Sequence, residues 1–348
     1  MAYTTINKSG DYFNTSLWSG NGSAQTISGV GFQPDWLWTK CRSDSYSHIL
    51  TDSVRGITKQ LKSESSAAEA TNAQGVTAFN ADGYVLGTQA DFAVNGNTFV
   101  GWGWKAGTTG SGTTTGSGTG KAYSYSVNTT AGFSIIKFIG NGTAGHTIPH
   151  HLGAKADFVI IKGLASGRQW SVGSSGLGWT KELFLDATNA QNTSASPWYD
   201  TAPSSTVVTL GTGSNGNTND ETYIMYAFST KTGYSKFGSY VGNGNADGSF
   251  IYLGFKPAFV MIKNTSSTGT WMIKDTKRDL FNVANTALGA SNPAPEVDYS
   301  SSLNEIDILS NGFKLRDTYS DQNTSGNNYI YMAFAEEPLV GDNPATAR

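Results

Sequence analysis

Trp18-Ser19-Gly20-Asn21-Gly22, Phe138-Ile139-Gly140-Asn141-Gly142 and Tyr240-Val241-Gly242-Asn243-Gly244 are one motif written three times, an aromatic strand end running into a Gly-Asn-Gly turn. A repeat decides the architecture before any single residue is weighed. Past each turn the chain enters a second shared element that ends in lysine: Gly31 to Lys40, Leu152 to Lys162 and Gly254 to Lys263. From Gly20 to Lys40, Gly140 to Lys162 and Gly242 to Lys263 the spacing is 20, 22 and 21 residues, so register is kept. Each copy closes on an aromatic strand, Phe99 to Trp104, Tyr223 to Phe228 and Tyr329 to Phe334, with Gly103, Ala227 and Ala333 at one shared small position. A small side chain between large ones marks close approach of a neighbouring strand or sheet.

This reading gives an all-β fold of three tandem β-sandwich domains, jelly-roll or lectin-like, of about 100 residues each. The expected division is repeat 1 over 1–106, a Gly/Thr/Ser-rich linker over 107–128, repeat 2 over 129–232, repeat 3 over 233–340 and a tail over 341–348. Residues 107 to 120 carry no large apolar side chain and read as a flexible connection spanning roughly 20 Å, which would let the first domain reorient. Lys231-Thr232-Gly233 is too short for that and predicts a fixed second pair. A short helix is expected from Ser63 to Ala73, where Ser, Glu and Ala cluster. Composition agrees: 42 glycines and 12% aromatic residues favour pleated strands and tight turns over helices.

Net charge is −3, with 23 basic and 26 acidic residues and no basic stripe, which argues against nucleic acid as a partner. Cys41 is the single cysteine, so no intrachain disulfide can form. No apolar run reaches the ~20 residues of a membrane span, which excludes helical insertion. The start Met1-Ala2-Tyr3-Thr4-Thr5 lacks a secretory signal, and synthesis in a cytoplasm with exit by another route, such as a virus particle, is the expectation.

Groups for catalysis are sparse. His146, His150 and His151 fall close together, but without a nearby cysteine or carboxylate set they read as a turn and not a metal site. Asn243 to Gly248 spells the first half of a calcium loop and then fails, because Gly254 stands where a bidentate glutamate belongs. Gly211-Thr212-Gly213-Ser214-Asn215-Gly216 leads into a strand, not a helix, and so cannot cradle phosphate. Asp52 with Arg55 and Asp275 with Arg278 recur in copies one and three, whereas copy two has Ser174 and Leu177; a hydrogen-bonded loop clamp is the expected role. The pairs Glu296 with Asp298 and Glu305 with Asp307 have no counterparts in other copies. No catalytic residue, metal or cofactor is assigned.

Alignment of the copies assigns Trp36, Trp38, Trp102 and Trp104 to core positions. Candidate contact residues are therefore the copy-specific ones: Tyr46 and His48 in repeat 1, Trp179 in a Gly-rich turn, and Trp198 with Tyr199 beside Pro197. Loop aromatics with polar neighbours suit a carbohydrate or protein surface.

The opening Tyr3 to Lys8 with Asp11 to Thr15, the run Gly29-Val30-Gly31-Phe32-Gln33-Pro34-Asp35 and Asp52-Ser53-Val54-Arg55-Gly56 resemble uncharacterised fibre-like virion proteins of marine bacteriophages, the cyanophages and pelagiphages. So do Thr130 to Ile135, Gly233 to Tyr240, Tyr329 to Glu336 and Pro344 to Arg348. The resemblance implies a non-enzymatic virion component, a tail fibre or appendage that adheres to a host-surface glycan, with a capsid-decorating protein as the alternative and a glycan depolymerase ranked last. Its implied partners are other virion structural proteins and copies of itself, a trimer among the options.

Overall fold

The computed structural model describes residues 4–165, 167–298 and 304–338. Its regular secondary structure is almost entirely antiparallel sheet. Repeat 1 contributes β1 (Phe13–Ser19), β2 (Trp36–Cys41), β3 (Ile49–Asp52) and β4 (Thr98–Trp104), hydrogen-bonded in the order β1-β4-β2-β3. The segment after it holds β5 (Thr108–Thr113) and β6 (Ala122–Asn128). Repeat 2 supplies β7 (Phe133–Ile139), β8 (Phe158–Gly163), β9 (Trp170–Ser174) and β10 (Thr222–Phe228); repeat 3 supplies β11 (Ser235–Val241), β12 (Phe255–Asn264), β13 (Met272–Asp275) and β14 (Asn328–Pro338). The three sheets share one register. Trp36 lies opposite Trp104, Phe158 opposite Phe228 and Phe259 opposite Phe334, as the alignment of copies requires.

A three-stranded sheet covers one face of each main sheet: Gln25–Ser28, Val76–Asn80 and Gly83–Leu86 in repeat 1, and Phe250–Tyr252, Ile306–Leu309 and Gly312–Leu315 in repeat 3. Repeat 2 uses His146–Pro149 and Val207–Leu210, with Thr115–Gly116 as its third strand. Between the layers sits a private core, for example Leu37, Ile49, Tyr84 and Phe99 in repeat 1. Val159, Val208 and Met225 do this in repeat 2, and Val260, Ile308 and Phe313 in repeat 3.

The opposite face of every main sheet meets the other two repeats. Trp36, Trp102 and Trp104 join Phe133, Phe158, Tyr226 and Phe228 and also Phe237, Phe259, Met332 and Phe334 in one buried cluster. Ring centroids of Trp36 and Tyr226 are 4.4 Å apart, Phe13 and Phe334 5.2 Å, and Phe228 and Phe334 5.8 Å, so aromatic packing crosses every boundary between repeats. Strands covered on both faces carry apolar residues without alternation, which is why β2, β8 and the distal half of β12 are buried at every position.

Two expectations are corrected here. The Gly/Thr/Ser segment is not a flexible linker: β6 pairs with β7 and β5 pairs with β6, extending the sheet of repeat 2. Its glycines serve tyrosines. A Cβ at Gly110 would lie 2.6 Å from the Tyr125 hydroxyl and one at Gly112 2.8 Å from that of Tyr123, so both rings lie across bare backbone. With the core shared, repeat 1 has no freedom to reorient. Nor is there a helix from Ser63 to Ala73, where the chain is extended and ends in the strand Ala70–Thr71. The helices are the single turns Ala90–Ala93 and Ala195–Trp198, so among the described residues no helix is long and apolar enough to cross a membrane. The tail 341–348 lies outside the described residues.

Candidate functional site

Each repeat grips the next through the same backbone positions, in a closed cycle. Glu69 N–H donates to the Leu164 carbonyl (2.9 Å), Gln191 to Thr265 (2.9 Å) and Glu296 to Arg42 (2.7 Å). A ring at the head of β9 and another just before β13 donate to a carbonyl of the preceding repeat: Trp170 Nε1 to Lys62 (2.9 Å) and Trp271 Nε1 to Phe184 (2.9 Å). In repeat 1 this place belongs to His48, whose Nε2 is 2.9 Å from the Gly289 carbonyl while Nδ1 accepts from Trp38 Nε1 at 2.9 Å. His48 is fully buried, and burial pushes its pKa down to about 3, so the imidazole is neutral.

The strand-ending lysines are buried as well. Lys162 Nζ donates to the Gly163 and Arg168 carbonyls and across the boundary to Ser66; Lys263 donates to Gly269 and across to Thr188; Lys40 stays with Cys41 and Asp44. Burial lowers each to about 8.

The Asp–Arg pairs lie on these boundaries. Asp52 Oδ1 accepts from the Val54 and Arg55 N–H groups and its Oδ2 pairs with Arg55 Nε; Asp275 and Arg278 repeat the pattern. Each arginine also reaches a local carbonyl and a glutamate, Glu69 for Arg55 and Glu296 for Arg278. The loop clamp is present, and it does more. Tyr226 Oη of repeat 2 donates to Asp52 at 2.8 Å, and Trp102 Nε1 of repeat 1 donates to Asp275 at 3.0 Å. Burial alone would lower the Arg55 pKa, but the Asp52 charge overrides it and the guanidinium stays charged. Burial works to raise Glu296, yet Arg42 and Arg278 hold it below the usual range. Glu296 is thus a partner of two arginines.

Of the candidate contact residues only Tyr199 is exposed, at 48%. Trp198 is fully buried and Trp179 nearly so, their rings meeting edge to face at 5.5 Å beside Gly173, where a Cβ would collide with both. They fill the private core of repeat 2 and cannot meet a surface ligand. His48 is removed by its place in the boundary, and Tyr46 is half-buried against the core of repeat 1. The signal for His48 was available: it stands four residues before Asp52, as Trp170 stands before Ser174 and Trp271 before Asp275. The histidine triplet is no solvated turn either. His146 bonds Asn217 and Thr114, buried His150 bonds the Ser204 carbonyl and the Leu152 N–H, and His151 stacks on Tyr125 at 3.8 Å. Asn243, Asn245 and Asp247 use their side chains within a turn and on Asn323 and Lys314.

What differs among the copies lies outside. The outer sheet presents Thr26 and Ser28 in repeat 1 and Thr147 and Pro149 in repeat 2, against exposed Phe250 and Tyr252 in repeat 3. Between Arg278 and Leu288 repeat 3 carries four residues more than repeats 1 and 2 have between Arg55 and Leu61 and between Leu177 and Leu183; Leu280 (62% exposed) and Phe281 (79%) sit there. Between repeats 1 and 3 a cleft of about 320 Å³ is lined by Phe13, Asn14, Thr15, Thr276, Lys277 and Glu336 among others.

Such a molecule is an all-β, three-repeat ring closed within one chain. A family model, the domain of unknown function DUF7483, matches residues 8–338, and the chain belongs to that family. The match spans all three repeats, so the family unit is the ring and not the single sandwich. No curated protein and no solved structure matches the chain.

Proposed function

We propose that this chain is a non-enzymatic structural component of a bacteriophage virion, a tail fibre or appendage subunit that adheres to host-surface glycan. The observation that carries the reading is the contrast between a conserved interior and divergent outer faces. Inner positions stay large and apolar in every copy, aromatic at Trp36, Phe158 and Phe259 and at Trp104, Phe228 and Phe334, and buried ion pairs, lysines and indoles lock the three into one body. Outward positions vary from hydroxyl-bearing to aromatic, which is the pattern of a rigid support displaying distinct contact surfaces. Tyr199, Phe250, Tyr252, Leu280 and Phe281 are the exposed side chains on which adhesion would rest.

One feature favours the capsid-decorating alternative. Three similar repeats around a common core approximate threefold symmetry, which suits a seat on a local threefold position of a shell. Cryo-electron microscopy of the particle with an antibody label separates the two: density along the tail supports the appendage, and density on the shell lattice overturns it in favour of decoration.

A further inference from the structure

The main sheets end differently at their first strands. In repeat 2 the edge of β7 is covered by β6, a strand from the chain's own connecting segment. Among the described residues the equivalents in repeats 1 and 3, β1 and β11, are outermost in their sheets. The β11 edge is obstructed: repeat 2 presses Gly176 against it, where a Cβ would lie 2.6 Å from the Gly238 carbonyl carbon and 3.1 Å from Ser239 N. The β1 edge opens instead into the cleft between repeats 1 and 3.

We propose that this edge binds an extended strand of a partner polypeptide, added antiparallel to β1 as β6 is added to β7. Lys105 N–H donates to the Tyr12 carbonyl, and alternation along an antiparallel ladder then turns the N–H and C=O groups of Phe13, Thr15 and Leu17 away from β4, with Phe13 and Thr15 lining the cleft. Local side chains hold two groups of that edge, Asn14 Oδ1 on Thr15 N–H and Gln25 Nε2 on the Ser19 carbonyl, and an incoming strand replaces the first. Two further observations point to an occupant. Thr15 is 7% exposed with an unpartnered hydroxyl, and Leu17 lies on the same face 40% exposed.

The internal copy defines the partner's chemistry. In β6 the residues opposite Ile135 and Lys137 are Ser126 and Ser124, while Tyr123 and Tyr125 lie on the other face against the private core. At β1 the wall made by Thr276 and Lys277 imposes the same demand: small hydroxyl residues toward the core shared by the repeats, apolar or aromatic residues on the other face. An extended arm of a neighbouring virion protein fits. Only that naming of the source rests on the function proposed above; the docking geometry does not.

The test uses the full chain and a synthetic peptide with the sequence of residues 122–128, followed by residue-resolved hydrogen exchange. The peptide is expected to slow exchange of the Phe13, Thr15 and Leu17 amides at least tenfold. Leu17→Pro deletes an outward N–H without touching the ladder to β4, and binding should weaken at least tenfold. A peptide N-methylated on alternate amides makes the same test on the unaltered protein. Unchanged exchange at β1, protection at Phe237 and Ser239 instead, or equal binding by the methylated peptide overturns the proposal. Shell or tail density bears on the functional reading alone.

Discussion

The boundaries of the ring solve one problem with opposite chemistry, two by charge and the third by apolar fit. Where repeat 1 meets repeat 3, and where repeat 2 meets repeat 1, the carboxylate of a buried Asp–Arg–Glu cluster accepts a hydrogen bond from the neighbour, Trp102 or Tyr226. Where repeat 3 meets repeat 2, Met332 holds the place of those donors and has no proton to give; the facing cluster is reduced to Ser174, Leu177 and Gln191. Charge was dropped together with its partner. Retaining the aspartate opposite methionine would have left a carboxylate short of a hydrogen bond at full desolvation cost. The apolar boundary relies on fit, with Gly176 against Gly238.

Asp275→Ala is the most damaging way to break the comparison. It leaves Arg278 buried without its carboxylate and Trp102 without an acceptor, and should lower stability by about 3–5 kcal/mol in guanidinium unfolding. Ser174→Ala at the equivalent place should cost under about 1 kcal/mol. Equal losses would show that the charged boundary is no more demanding than the apolar one. Next in size, Tyr226→Phe removes a hydrogen bond to a charged acceptor and should cost about 1.5–3 kcal/mol. In an Asp52→Ala background the same change should cost less than half as much, because the acceptor is already gone.

The apolar boundary answers to volume. Gly176→Ala drives a methyl into the β11 backbone and should cost about 1–3 kcal/mol, whereas Lys277→Ala, exposed at the matching position of repeat 3, should stay within about 0.5 kcal/mol. The remaining prediction is read against pH and concerns His48. Its folded pKa of about 3 is below the ordinary 6.5, so unfolding takes up a proton in between and stability falls as pH drops from about 6.5 toward 3. His48→Gln should flatten that part of the profile relative to the wild type, measured as unfolding midpoint against pH; parallel profiles would show that the imidazole is free to charge in the fold.

Repeats, registers and aromatic positions were legible because a buried strand advertises itself through spacing and residue type. Trp36 and Trp104 were read as core on that ground and are core. Ring closure was not legible, since a sandwich with one wet face and a sandwich with a second hidden face differ only in how unbroken the apolar run is. Gly110 and Gly112 misled for a related reason. Their flatness serves Tyr125 and Tyr123 across the strand, and composition alone reads the same letters as slack. Trp179 and Trp198 were judged by loop position, although a glycine opposite them, Gly173, makes room for both rings.

Phe13 near the beginning of the chain stacks on Phe334 near its end. During synthesis the first repeat therefore leaves the ribosome with Trp102 and Trp104 facing a neighbour about 150 residues from being made. Its nascent form has to carry that apolar flank until the third repeat has been made. The adjacency of Phe13 and Phe334 also makes the order of the copies negotiable: a chain joined from the third repeat to the first and opened at Lys231 to Gly233 would begin with the third repeat and build the same ring.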